Sequence, residues 1–223
     1  MENCKAVLFD LDGTLIDSEN FYYSNWAPIL ASEFGVHINF DDWINYFAGH
    51  TLLRNVGMMK QQFGIDTTEE FMWEQTRANY AKSDMTAIAL MPGALTLLKS
   101  LRAQGTRIAL VTSSYRSTVD SVLGHHGLLD YFEFFVTRER VTTPKPNAEP
   151  YLLALKLLDL AAEDVIAVED TSTGCHAAQG AGIYCVAVSK HATERSRLGQ
   201  ADILLEDLYA LSSAIFLPQE IKK

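Results

Sequence analysis

The chain has too few cysteines, in the wrong places, for a disulfide framework or a thiol metal site. Cys4, Cys175 and Cys185 show no Cys-x-x-Cys spacing and, being three, cannot all pair. Cys4 and Cys185 fall in or beside expected strands and Cys175 in an expected helix, so buried thiols in a reducing compartment are expected. The six histidines show no His-x-x-x-His or His/Cys ligand pattern. No apolar run is long enough to span a bilayer, and no basic stretch followed by an apolar one opens the chain, so a cytoplasmic protein with no membrane partner is expected. Positive charge is scarce as well: 18 Lys and Arg stand against 28 Asp and Glu, a net charge of −10. A nucleic-acid partner needs a basic face, which this balance argues against. It does not exclude an anionic substrate, provided the site itself gathers cations. Internal repeats and low-complexity segments are absent too. What is left is a globular chain of 223 residues, 48% of them hydrophobic, long enough to bury a sizeable core.

The informative stretch is Asp10-Leu11-Asp12-Gly13-Thr14, at the end of Lys5-Ala6-Val7-Leu8-Phe9. The short apolar run stopped by a glycine reads as a strand buried on both faces, with two carboxylates delivered at its carboxyl end. Burying acids there is costly unless a cation or a hydrogen-bond network compensates them. Asp residues at i and i+2 point the same way along a strand, and a turn at Gly13 can swing the second elsewhere. A metal ion would account for the pair. So would covalent catalysis by one carboxylate with proton transfer by the other, and an Asp-Gly turn after a core strand is the plain structural alternative.

From here to about residue 90 the periodicity is helical. A helix is expected over 17–34, capped by Asp17 or Ser18 and closed by Gly35, then a segment at 40–47 and a helix at 51–63 ending at Gly64. Another runs over 67–83, with Thr67 and Glu70 as a capping box. At Met91-Pro92-Gly93 the pattern changes. Expected strands at 107–112, 132–136, 165–169, 184–188 and 202–205 alternate with helices at 94–104, 117–125, 148–158 and 172–181 and after the last strand. That alternation predicts an α/β fold, a doubly wound parallel sheet with a Rossmann-like core in residues 1–17 and 91–223. Residues 18–90 are then an inserted helical domain.

In such a sheet ligands bind outside the carboxyl ends of the strands, near the topological switch point. Those ends carry Asp10 and Asp12, then Thr112, Ser113 and Ser114, then Lys145 between Pro144 and Pro146, then Glu169 and Asp170. Hard oxygen ligands of this kind suit Mg²⁺. Asp10, Asp170 and the backbone carbonyl of Asp12 are its expected ligands, with Glu169 a further partner, directly or through water. Lys145 and the Thr112 hydroxyl would help neutralise a phosphoryl group, and Ser113 and Ser114 would meet the substrate. Asp10 would attack phosphorus to form an aspartyl-phosphate, and Asp12 would protonate the leaving oxygen and then activate water. The plain alternatives are a surface lysine, a strand-ending threonine and an N-cap pair at Glu169-Asp170.

Taken in order, Asp10-Leu11-Asp12-Gly13-Thr14, Thr112, Lys145-Pro146 and Glu169-Asp170 resemble the haloacid dehalogenase superfamily of phosphotransferases, from one end of the core to the other. The resemblance implies a Mg²⁺-dependent phosphatase acting on a small phosphorylated metabolite, a sugar phosphate or similar monoester. It also implies that the helical insert is the cap that closes over the active site and reads the substrate. Within that insert, His50 in Gly49-His50-Thr51 and Tyr22, on one helical face with Trp26, are candidate substrate contacts. A solvated loop histidine and a small aromatic core are the alternatives. A monomer is expected. Two rival functions stand beside the phosphatase. One is a phosphomutase of the β-phosphoglucomutase kind, which is similar in length and layout. That branch carries a histidine in the first cap helix, where this chain reads Asn20-Phe21-Tyr22, and basic residues in the cap loop, where it has His50 and Thr51 before Arg54. The other rival is a catalytically idle binding protein on the same fold.

Overall fold

Short apolar runs and longer amphipathic ones alternate through most of the chain, and a computed structural model shows what they form. It describes residues 4–216, with side chains described as far as residue 212. In chain order the elements are β1 (Ala6–Phe9), α1 (Ser18–Phe34), α2 (Phe40–Tyr46), α3 (Leu52–Phe63), α4 (Glu69–Tyr80), α5 (Ala94–Ala103), β2 (Arg107–Val111), α6 (Arg116–His125), β3 (Phe135–Val136), α7 (Glu149–Leu158), β4 (Val165–Glu169), α8 (Ser172–Gly180), β5 (Tyr184–Val188), α9 (Ala192–Arg197), β6 (Ile203–Leu205) and α10 (Leu208–Phe216). The chain divides into two compact units, residues 17–89 and the residues on either side of them.

The flanking unit holds one six-stranded sheet in the order β3-β2-β1-β4-β5-β6, every neighbouring pair parallel. This is the doubly wound α/β fold that the alternation predicts. Every residue of β1 and β4 is buried, as expected for strands covered by helices on both faces. On one face Ala6, Leu8, Ala109, Val111, Ala167, Cys185 and Ala187 pack with Tyr151, Ala154 and Leu158 of α7 and with Cys175, Ala177 and Ala178 of α8. Small strand residues let those helices approach closely. The period of two then has a consequence for function. β1 and β4 pair with Leu8 beside Ala167 and Phe9 beside Val168, so the next positions on the α7/α8 face are Asp10 and Glu169.

The unit of residues 17–89 is helical and has its own core, built on Trp26, Trp43, Phe47, Met59 and Met72. Where the chain passes from one unit to the other it forms a narrow ribbon. Ile16 bridges Leu90, the Met91 amide donates to Leu15 O at 2.9 Å, and the Asp17 amide donates to Ala89 O at 2.8 Å.

Several local expectations need correction. The capping box at Thr67 and Glu70 does not form: Thr68 is the N-cap of α4, its hydroxyl accepting from the Phe71 amide at 3.1 Å. A capping box does form at Asn39 and Asp42, ahead of α2. Asp17 occupies the N-cap of α1 without a capping bond and accepts from Asn20 Nδ2 instead. The strand expected over 132–136 shrinks to Phe135–Val136, because residues 129–131 close a 3₁₀ turn. The polar helix α9 has no apolar stripe to announce it. Among the described residues no helix is long and apolar enough to cross a membrane.

Candidate active site

The strand order reverses between β1 and β4, which is where a doubly wound sheet opens a crevice. The Asp10 amide continues the β1–β4 ladder, donating to Val168 O at 2.9 Å, and this sets its carboxylate beside that of Glu169. Lys145 joins the two. Its ammonium donates to Asp10 Oδ1 at 2.7 Å, to Glu169 Oε1 at 2.5 Å and to the backbone carbonyl of Val111 at 2.8 Å. All three of its protons are therefore used. The side chains of Lys145 and Glu169 are only 6% and 1% exposed, so this ion network is screened little by solvent.

The loop that delivers Lys145 is braced by the start of α7. The Glu149 carboxylate accepts from the amides of Thr142 and Thr143 at 2.7 and 2.8 Å, and these bonds, led by Thr142, hold its carboxyl below the usual range. Tyr151, in the first turn of α7, is fully buried and donates its hydroxyl to Glu169 Oε1 at 2.7 Å. Asp170 follows β4 and accepts from the Thr14 hydroxyl at 3.3 Å. The turn after Asp12 has to be glycine on two counts. Gly13 has φ +75°, and a side-chain carbon there would collide with the Asp170 carboxylate. Likewise a methyl group at Gly174, in the first turn of α8, would overlap the Glu169 carboxylate. Thr171 caps α8 through the Gly174 amide at 3.1 Å, so the capping task suggested for Glu169-Asp170 falls to the next residue.

Asp12 turns toward the end of β2, where its Oδ2 accepts from the Ser114 hydroxyl at 2.6 Å. The Ser114 amide in turn donates to Thr112 Oγ1 at 3.0 Å. Ser114 thus links Asp12 to Thr112, while Ser113 is exposed beside them. Tyr22 and His50 belong to the helical unit. Tyr22 packs edge-on against Phe21 and Tyr80, His50 is half-buried, and Trp26 lies in that unit's core with its indole donating to the Tyr80 hydroxyl at 2.8 Å.

Three carboxylates, Asp10, Glu169 and Asp170, offer oxygens that all lie within 4.8 Å of one another. Lys145 is the cation bonded among them, which leaves an excess of negative charge. Burial first, then the neighbouring Glu169 and Asp12 carboxylates, push Asp10 up to about 8 against the pull of Lys145. Burial alone would lower Lys145, but Asp10 and Glu169 outweigh it and hold the ammonium above its ordinary value. Glu169 Oε2 is buried and has no hydrogen-bond partner. An all-oxygen donor set with surplus charge and an orphaned carboxylate oxygen fits a hard divalent cation.

Comparison with known proteins identifies the family. The family model for haloacid dehalogenase-like hydrolases matches residues 7–188. Validoxylamine A 7'-phosphate phosphatase of Streptomyces hygroscopicus subsp. limoneus is 32% identical over 204 residues, covering 92% of this chain and 94% of its own. Hexitol phosphatase A of Escherichia coli is 34% identical over 214 residues, covering 92% of each. A haloacid dehalogenase family hydrolase from Deinococcus radiodurans, solved with phosphate and sodium bound, superposes with a TM-score of 0.78 at 28% identity, over 96% of this chain and 95% of its own. The chain belongs to the haloacid dehalogenase-like hydrolase family. Within that family it is a phosphatase, an enzyme acting on phosphorylated substrates.

Thr14, Glu149 and Tyr151 escape a reading of strand ends alone. Thr14 and Glu149 look like turn and helix-start residues. Tyr151 sits on the apolar stripe of α7 with Ala154 and Leu158, where a tyrosine reads as core. The one available signal is that a buried tyrosine hydroxyl needs a partner.

Proposed function

We propose that this phosphatase is Mg²⁺-dependent and hydrolyses a small phosphorylated metabolite, a sugar phosphate or similar monoester, through an aspartyl-phosphate on Asp10. The observation that carries the proposal is the convergence of Asp10, Glu169 and Asp170 on one point at the switch of the sheet, with Lys145 bonded to Asp10. Asp10 and Asp170 would hold the cation with the Asp12 carbonyl, and Glu169 would stand beside it. The bound ion would supply charge neutralisation for the phosphoryl oxygens.

Asp10 attacks phosphorus, forming one P–O bond as the bond to the leaving oxygen breaks. Asp12 gives its proton to that oxygen. In the second half Asp12 takes a proton from water, whose oxygen displaces Asp10 and releases inorganic phosphate. Lys145 and the Thr112 hydroxyl offset charge on the transferring group, and Ser113 and Ser114 lie at the end of β2 that would meet it. The names of the two phosphatase relatives, one for validoxylamine A 7'-phosphate and one for hexitol, support a polyol-like monoester. Residues 18–90 would be the cap, with His50 and Tyr22 as substrate contacts. A cytoplasmic monomer, acting without nucleic acid or membrane, completes the reading, and its three free thiols support a reducing compartment.

The test is phosphate release from a panel of sugar and polyol phosphates, glucose 1-phosphate included, with Mg²⁺ and with EDTA. Release that needs Mg²⁺ is expected. Conversion of glucose 1-phosphate to the 6-phosphate without release would make the protein a mutase, and equal release in EDTA would remove the metal from the mechanism.

A further inference from the structure

A phenylalanine would fill the space of the Tyr151 ring, so packing alone does not account for the hydroxyl. Burying a hydroxyl is unfavourable unless it is bonded, and this one has a single acceptor, Glu169 Oε1 at 2.7 Å. The same oxygen receives the Lys145 ammonium, whose nitrogen stands 5.2 Å from the centre of the Tyr151 ring. Lys145 has two further acceptors, Asp10 Oδ1 and Val111 O, so three atoms fix its direction. Val111 O belongs to a buried strand. The position of Glu169 rests on Tyr151, and on Gly174, whose missing side chain makes room for its carboxylate.

We propose that Tyr151 is a positioning residue: its hydroxyl fixes Glu169, and through Glu169 it fixes the Lys145 ammonium on Asp10. The hydroxyl touches no reacting atom. Without it Glu169 is held by Lys145 alone, and one of the three guides of Lys145 loses its own anchor. The ammonium then no longer sits at one fixed point on Asp10, which loosens the donor set an arriving cation must meet and spoils the alignment of the nucleophile.

The inference rests on the phosphatase reading for its catalytic consequence but not for its effect on cation binding, and the test reads both. A double-mutant cycle in the full chain combines Tyr151→Phe with Glu169→Ala. Steady-state kinetics use the best phosphate ester of the panel, and Mg²⁺ binding to the substrate-free protein is followed by calorimetry. Tyr151→Phe is expected to lower kcat about ten-fold with little change in KM, the loss of one hydrogen bond to a charged group. It should weaken Mg²⁺ binding about five-fold, by the same reasoning. In the Glu169→Ala background both effects should vanish, because the hydroxyl then has nothing to hold. In Glu169→Gln, which keeps an acceptor oxygen, they should persist. A purely structural tyrosine would lower the melting temperature equally in every background and leave kcat per folded molecule and Mg²⁺ affinity unchanged, which would overturn the proposal. If Glu169→Ala does not fold, Glu169→Asp, whose carboxylate falls short of the hydroxyl, takes its place in the cycle. Coupling in Mg²⁺ binding without turnover of any ester would sustain the role of Tyr151 and sink the phosphatase reading. Turnover without coupling would do the reverse.

Discussion

Two glycines inside helices should respond to the same substitution with opposite signs. Exchanging a mid-helix glycine for alanine ordinarily stabilises by about 1 kcal/mol, since alanine loses less backbone freedom on folding. Gly57, in α3, has nothing within 4 Å of the position a methyl group would take, so Gly57→Ala should show that gain. At Gly174 the added carbon falls on the Glu169 carboxylate, which is buried and bonded to Lys145 and Tyr151. The carboxylate must move. That costs two hydrogen bonds to a charged group, about 1.5–3 kcal/mol each. Set against the helical gain, Gly174→Ala should lose about 2–5 kcal/mol. At about 2–4 °C per kcal/mol for a chain of this size, its melting temperature should fall by roughly 4–20 °C. Urea denaturation and thermal melts of the two variants beside the wild type read the difference directly. Gly174→Ala should also be nearly inactive, while Gly57→Ala keeps full turnover. A Gly174→Ala protein stabilised like Gly57→Ala and still active would refute the close approach of α8 to Glu169 and the role given to that carboxylate.

Asp10→Asn should reduce turnover by at least about a thousand-fold while leaving the circular dichroism spectrum unchanged, because it removes the nucleophile and almost no volume. Near-normal turnover would end the covalent mechanism. The same variant tests the charge balance of the centre. In the cation-free fold Asp10 is held at about 8 rather than near 3.8, so the folded state binds a proton that the unfolded chain has released. Its contribution to stability is complete below about pH 4 and is lost as the pH rises through about 8. In EDTA, melting temperatures of the wild type should therefore fall relative to Asp10→Asn across that window, and parallel curves would contradict the shift. Ser114→Ala should lower kcat about ten-fold by removing its bond to Asp12, with little change in melting temperature, and an unaltered kcat would show that this bond is idle.

The residues at the strand ends were legible because a parallel sheet leaves so little choice. Once an apolar run is read as a buried strand, the polar residue that ends it must face the crevice, and Asp10, Thr112 and Glu169 follow. Lys145 was legible for a different reason, since its flanking prolines marked a loop at the same edge. What stayed hidden was whatever depends on a third dimension the sequence period does not encode. The hydroxyl of Tyr151 rides on an apolar stripe, and Glu149 grips its amides as any helix-start acid would. The threonine that caps α4 is one residue from the one chosen, because Thr67 and Thr68 are chemically alike and only backbone geometry separates them. Helix α9 had no periodicity to display.

The ribbon at Ile16 and Leu90 carries an evolutionary consequence. Because the two crossings of the chain lie side by side and bond to each other, the sheet sees the intervening seventy-odd residues only as a loop already closed at its base. The entropy of closing such a loop grows only with the logarithm of its length. An insert of another size or sequence could be exchanged at this point while β1 and β4 keep their register. The machinery at the strand ends and the segment spliced between them can therefore diverge at different rates, one chemistry serving a succession of inserts.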